Sequence, residues 1–328
     1  MDNFTHSLTG WALGQAGLKT KSRKGLAALI LGANMPDIDV LFAWVPWVPL
    51  ATHRGVTHSI VGGSIVMPPM LALLLWLLDR WQLKRGATFK SGLPMHVPWL
   101  VALCYIGALS HPLLDLQTTY AVQLLSPFSN RWFHTETMFI IDVWVWSMLA
   151  FAIWLSRRRE RVAGANWRKP ALVGLCAAGA YVALNGAISL SARHALLSQM
   201  PAIRPDAMVA SEQPVLFWKR ELVWRQERRI GRASYDPLKS LTRVFDVKPM
   251  VWDNMADPLV RKARDADKGI ITFLRWSIMP VAEVSRGPCE ITVHFADARF
   301  STRANRGPMS RQVVMKDEAA DCRGDSAR

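Results

Sequence analysis

The sequence predicts an α-helical integral membrane bundle of about four spans with short N-terminal re-entrant or interfacial helices. A C-terminal mainly β or α+β extramembrane domain follows. Three observations carry this reading. Long apolar runs are confined to residues 1–195. Short blocks of Lys and Arg separate those runs, the pattern of membrane topology. Residues 196–328 are charged, broken by proline, and contain no apolar stretch long enough to cross a bilayer. The composition shift sets the expected domains, 1–195 in the membrane and 196–328 outside it.

In chain order, Leu8–Leu18 is too short to span comfortably, and Leu26–Val45 is interrupted by Asn34, Pro36, Asp37 and Asp39. Both read as short helices packed against the bundle, because non-helical backbone at membrane depth must be covered by protein or line a cavity. A span needs about 20 apolar residues. Ser59–Leu78, Val97–Leu116, Met138–Leu155 and Ala171–Leu190 qualify, and Trp76, Trp81, Trp99, Trp132, Trp154 and Trp167 lie near their ends. Basic connections at Lys19–Lys24, Arg80–Lys90 and Arg157–Lys169 are expected to face the cytoplasm, whereas Gln117–Thr137 carries only Arg131. This places the C-terminal domain outside. There, Val215–Gln226, Gly269–Val281, Glu290–Phe300 and Gln312–Lys316 alternate in part and read as short antiparallel strands.

The chain has 328 residues, 51% of them hydrophobic, and a formal charge of +15. Much of that charge sits in the blocks between apolar runs, and no nucleic-acid motif is present, so nucleic acid is not an expected partner. Cys104 and Cys176 lie in apolar segments; Cys289 and Cys322 can pair if the C-terminal part is extracytoplasmic. With no CxxC, a thiolate zinc site has no support. Asp2 and His6 stand where a secretory signal would be basic.

Four clusters carry the chemistry: Asp2-Asn3-Phe4-Thr5-His6, Pro36-Asp37-Ile38-Asp39, His53-Arg54-Gly55-Val56-Thr57-His58-Ser59 and His111-Pro112-Leu113-Leu114-Asp115. Histidine with carboxylate is a ligand mix that zinc, manganese and iron accept. The expected metal ligands are His6, Asp37, Asp39, His53, His58, His111 and Asp115. His111 and Asp115 are spaced i, i+4 on one helix face, although Pro112 opposes α geometry at His111. Asp37 equally suits a helix cap beside Pro36. Arg54 is matched to an anionic oxygen or to a lipid headgroup, and Asp39 to a general base. His134, Glu136 and Asp142 are weaker candidates. On the expected topology, every cluster reaches one outward face.

These motifs resemble the YdjM-like family of inner-membrane metal-dependent hydrolases over roughly residues 1–195, with His53-Arg54-Gly55-x-Thr57-His58-Ser59 the most specific piece. The resemblance implies a bacterial inner-membrane location and a distant similarity to zinc-dependent phospholipase C and P1-type nucleases. His111-x-x-x-Asp115 resembles their His-x-x-x-Asp element. Their later His-x-x-x-Glu element has no counterpart, since His134 is followed by Glu136, so one or two ions are expected rather than three.

The expected function is a membrane-bound hydrolase that uses a divalent metal, zinc first, on a phosphoester or other ester of an amphiphilic, lipid-like substrate. The alternative is a non-enzymatic membrane protein with a structural metal and an external domain that binds a protein partner. A transporter fits less well, because the candidates gather on one face instead of lining a path.

Overall fold

A computed structural model of the chain describes residues 1–42, 54–162, 166–301 and 309–317, with side chains 39–42 left undescribed. These residues form two compact units. The first holds residues up to 189 together with Glu212–Trp218; the second holds the remainder.

The first unit is helical. Asp2 opens α1 (Asn3–Gln15) by accepting from the amides of Phe4 at 3.0 Å and Thr5 at 3.1 Å, which satisfies donors a helix start leaves bare. A 3₁₀ turn, Leu18–Lys21, leads to α2 (Gly25–Asn34). The chain then tightens into a second 3₁₀ stretch, Met35–Phe42, where Pro36 has no N–H to continue the α-helical ladder although Met35 keeps helical dihedrals. After a 3₁₀ turn at Val56–His58, a π-helical stretch Ile60–Val66 runs into α3 (Met67–Lys84). Three more helices follow: α4 (Val97–Asp115), α5 (Val143–Arg161) and α6 (Lys169–Gln199).

Among the described residues, three helices are long and apolar enough to cross a membrane: Ile60–Lys84, Val97–Asp115 and Lys169–Gln199. Leu73, Leu74 and Leu77 of α3 point outward exposed, as lipid-facing residues do. The expected segment Met138–Leu155 differs. Asp142 interrupts it and caps α5 through the amides of Trp144 and Val145, and the last turns of α5 carry Arg157–Arg161. That leaves Val143–Ser156 as its uninterrupted apolar stretch.

Close backbone contact between α2 and α4 fixes the centre of the unit. A Cβ on Gly107 would lie 2.6 Å from the Leu29 carbonyl oxygen, and one on Gly32 would lie 2.9 Å from that of Cys104. Gly107→Ala is therefore expected to wedge the two helices apart and destabilise the protein by about 1–3 kcal/mol, the usual range for overpacking. Thermal unfolding in detergent, compared with a Gly179→Ala control in α6 where an added Cβ meets nothing within 4 Å, measures this.

The second unit contains a four-stranded sheet, β1 (Ala207–Glu212), β2 (Arg220–Gln226), β3 (Arg229–Tyr235) and β4 (Phe245–Trp252), in that order. Two short helices, α7 (Pro258–Ala266) and α8 (Lys268–Trp276), precede a three-stranded sheet of β5 (Pro280–Arg286), β6 (Glu290–Asp297) and β7 (Ser310–Lys316). Pairing of β2 with β3, β3 with β4, β5 with β6 and β6 with β7 is antiparallel. Val209, Val223, Ile230, Met279 and Ala298 form a shared apolar core.

The expected strand Gly269–Val281 is a correction. Most of it is α8, which Asp267 caps through the Gly269 amide at 2.6 Å. Ile270, Phe273 and Trp276 bury one face at a spacing of three, so helical packing overrides the β-branched composition. Only its last residues join β5.

Candidate metal centre

His6 lies one turn into α1, Asp37 in the 3₁₀ stretch after α2, His58 just before the π-helical stretch, and His111 and Asp115 in the last turns of α4. All five are buried. Pro112 is accommodated inside α4, so the i, i+4 geometry survives: His111 Nε2 stands 3.2 Å from Asp115 Oδ2. His111 Nε2 is also 3.5 Å from Asp37 Oδ1, which in turn lies 3.1 Å from His58 Nε2. His58 Nε2 reaches Asp115 Oδ2 at 3.4 Å, and His6 Nε2 reaches Asp115 Oδ1 at 3.6 Å.

Two three-residue sets emerge whose ligand atoms lie within 4.8 Å of one another: His6, His111 and Asp115, and Asp37, His58 and His111. His111 belongs to both. Its Nδ1 is 2.6 Å from the Ala33 carbonyl oxygen. A carbonyl only accepts, so Nδ1 carries a proton and Nε2 is the ring atom left to face the cluster. The close α2–α4 contact at Gly32 and Gly107 brings this carbonyl into place.

The residues fit a metal ion. Both ring nitrogens of His6, Nε2 of His111 and Oδ2 of Asp115 are buried without a hydrogen-bond partner among the described residues. Unsatisfied polar atoms at such density are costly unless something binds them. Burial pushes His6 down to about 3, aided by the neighbouring His111, and burial likewise pushes His58 down to about 4. Both rings are therefore neutral near pH 7, the form that ligates. His6 and His111 stack with centroids 3.7 Å apart.

Arg54 has a positive φ of 66° and is almost wholly buried. Its Nη2 is 3.0 Å from Asp115 Oδ1, its Nη1 donates to Thr118 Oγ1 at 2.9 Å, and its guanidinium lies over the Tyr120 ring. The α-amino group of Met1 also contacts Asp115 Oδ1. Arg54 thus faces a carboxylate of the cluster, where the sequence suggests an anion from outside. Thr118 and the Ala33 carbonyl escape sequence reading. Thr118 follows Asp115 by three residues and donates to its carbonyl at 2.9 Å, a local bond that any threonine after a helix end can make.

Of the other expected residues, His53 and the side chain of Asp39 lie outside the described residues. His134 Nδ1 and Glu136 Oε1 pair at 2.8 Å, apart from both ligand sets. Asp142 is spent on capping α5 and on accepting from the Tyr181 hydroxyl at 2.9 Å.

No solved structure matches the chain. Among curated proteins, the uncharacterized protein YfhP of Bacillus subtilis (strain 168) is 28% identical over 170 residues, which cover 47% of this chain and 46% of YfhP. The chain thus spans about half the length of that relative. The model of the YdjM inner membrane protein family matches residues 1–192, which include both ligand sets, Arg54 and Thr118. On that match, over more than half of its length, the chain belongs to the YdjM inner membrane protein family.

Proposed function

We propose that this protein is a multi-pass inner-membrane hydrolase that uses a divalent metal, with zinc the leading ion and manganese or iron chemically acceptable. The observation that carries the reading is the donor set: three imidazoles and two carboxylates converge in a buried site, and neither ligand set among the described residues contains a cysteine. Structural zinc sites favour cysteine, whereas histidine with carboxylate is typical of catalytic ones. A bound divalent metal supplies an acidified water and polarises a phosphoryl or acyl oxygen.

The chain's own residues do the rest. His6, His58 and His111 offer ring nitrogens, and Asp37 and Asp115 offer carboxylate oxygens. Ala33 holds the His111 tautomer, and Arg54 and Thr118 aim Asp115. The proposed substrate is a phosphoester or other ester of an amphiphile, which suits a site among membrane helices. α5 is proposed to complete a four-helix membrane bundle with the C-terminal domain outside the cytoplasm. Cys289 is disulfide-bonded, which favours an oxidising compartment for that domain.

Burial favours a second reading. All donors are nearly inaccessible, and a closed site is what a structural ion needs. The two readings separate on purified protein by metal analysis and by turnover of phosphodiester and carboxylic ester amphiphiles with and without chelator. Chelator-sensitive turnover that Asp37→Asn removes supports the hydrolase. A bound metal without turnover, and a chelated protein that melts earlier, leaves the structural ion.

A further inference from the structure

We propose that the cleft between α1 and the basic end of α5 binds the headgroup of an anionic phospholipid. The cleft has a volume of about 370 Å³ and is lined by Trp11 of α1 and by Ile153, Trp154, Arg157, Arg158 and Arg161 of α5. Its polar and apolar walls adjoin, as an amphiphile requires.

The charge at this cleft is uncompensated. Arg157, Arg158 and Arg161 have no ion pair among the described residues, whereas nearby Lys19 pairs with Glu160 at 2.6 Å and Arg23 with Asp79 at 2.8 Å. Two of the three guanidinium groups are steadied by indoles instead: Arg157 lies 5.2 Å from the Trp11 ring centroid and Arg158 lies 5.6 Å from that of Trp154. Stacking holds a guanidinium plane while leaving its edge N–H groups to donate, the geometry that matches a phosphate diester.

Above the arginines, Ile153 and the half-exposed Trp154 continue the wall, and Phe151 next to them is 62% exposed. An acyl chain can lie along this strip while the phosphate meets the arginines. A free phosphate has no use for the apolar wall. The cleft is also too small for a polymer. An anionic bilayer lipid satisfies both halves.

The test uses the full chain in nanodiscs of phosphatidylcholine with a minority of phosphatidylglycerol, followed by native mass spectrometry of retained lipid. Wild-type protein is expected to retain phosphatidylglycerol preferentially. Arg157→Gln with Arg161→Gln should cut that preference by roughly fivefold per arginine, the scale of one basic side chain at an anionic surface. Arg159→Gln, on the same helix but outside the cleft, should leave it intact. The proposal is overturned if the double variant keeps the wild-type preference, or if Arg159→Gln loses it equally, since the effect would then be diffuse charge. Displacement of the retained lipid by inorganic phosphate alone would also overturn it, by making the site a phosphate site.

Discussion

Exchange of His111 for glutamine is expected to strip the protein of bound metal, with a larger loss than any other single ligand exchange gives. His111 Nε2 is the one donor common to both ligand sets, so its removal damages each of them, whereas His6→Gln and Asp37→Asn each damage one. Outer-shell changes at metal sites commonly cost about 10–100-fold in affinity; loss of this shared donor should exceed the upper end of that range. Glutamine fills much of the imidazole's volume in a fully buried position, which limits the cavity cost. Metal content by elemental analysis, together with circular dichroism to confirm the helices, reads the result. Retained metal in folded His111→Gln, with loss in His6→Gln or Asp37→Asn, would sink the shared-donor assignment. A matched control is Arg54→Met, which removes the charge beside Asp115 but no ligand. It is expected to weaken metal binding less than His111→Gln while lowering thermal stability, because it leaves a buried carboxylate short of a partner.

Asp297→Ala is expected to destabilise the second unit by about 3–5 kcal/mol, the cost of breaking a buried ion pair from one side. Asp297 and Arg299 are both buried at the end of β6, joined by Nε–Oδ1 and Nη2–Oδ2 contacts of 2.9 Å each. The same carboxylate accepts from Ser277 Oγ at 2.6 Å and from the Ile278 amide at 2.9 Å, tying α8 to the sheet. The Arg299 guanidinium also lies 5.0 Å from the Trp276 ring centroid. Alanine leaves that cation buried and several donors unmatched. Hydrogen exchange of β6 amides in the full chain, in detergent, should show opening at a much lower free energy. Substitution of both partners by apolar residues of similar size should cost less than Asp297→Ala alone, since the penalty lies in a buried charge that has lost its carboxylate. The pair also predicts a pH response. Burial opposes ionisation of Asp297, but Arg299 and the hydrogen bonds outweigh it and hold the carboxyl below its ordinary range. A depressed folded-state value means that its stabilisation is complete above the ordinary carboxylate value of about 4 and is lost as pH falls through the folded value. Asp297→Asn should flatten this acid dependence; an unchanged acid profile would show that the pair is not its source.

The helical part was legible because its signals are local. Apolar length marks Ile60–Lys84, Val97–Asp115 and Lys169–Gln199, and the motif strings name His6, Asp37, Asp39, His53, His58, His111 and Asp115 as expected ligands, of which His53 and the side chain of Asp39 lie outside the described residues. Arg54 shows the limit. Its residue type suits an external phosphate, and only the fold reveals Asp115 at 3.0 Å. The C-terminal sheet was harder to read for physical reasons. The β2–β3 hairpin turns through Glu227 and Arg228, both with positive φ, a geometry that usually announces itself through Asn-Gly or Asp-Gly. β4 is largely exposed, so it lacks the alternation that marks a half-buried strand. In α8, β-branched Ile270, Ile271 and Thr272 mimic a strand, and the spacing of Ile270, Phe273 and Trp276 decides otherwise.

The convergence of donors has a consequence for biogenesis. His6, Asp37, His58 and His111 come from four different elements separated by long stretches of chain, and α4, the last to emerge, supplies the donor both sets need. A nascent chain that has not yet docked α4 offers a cation neither complete ligand set. If the proposed metal binds, its occupancy records completed assembly of the membrane unit, and metal starvation during synthesis should lower the yield even where the finished protein resists a chelator.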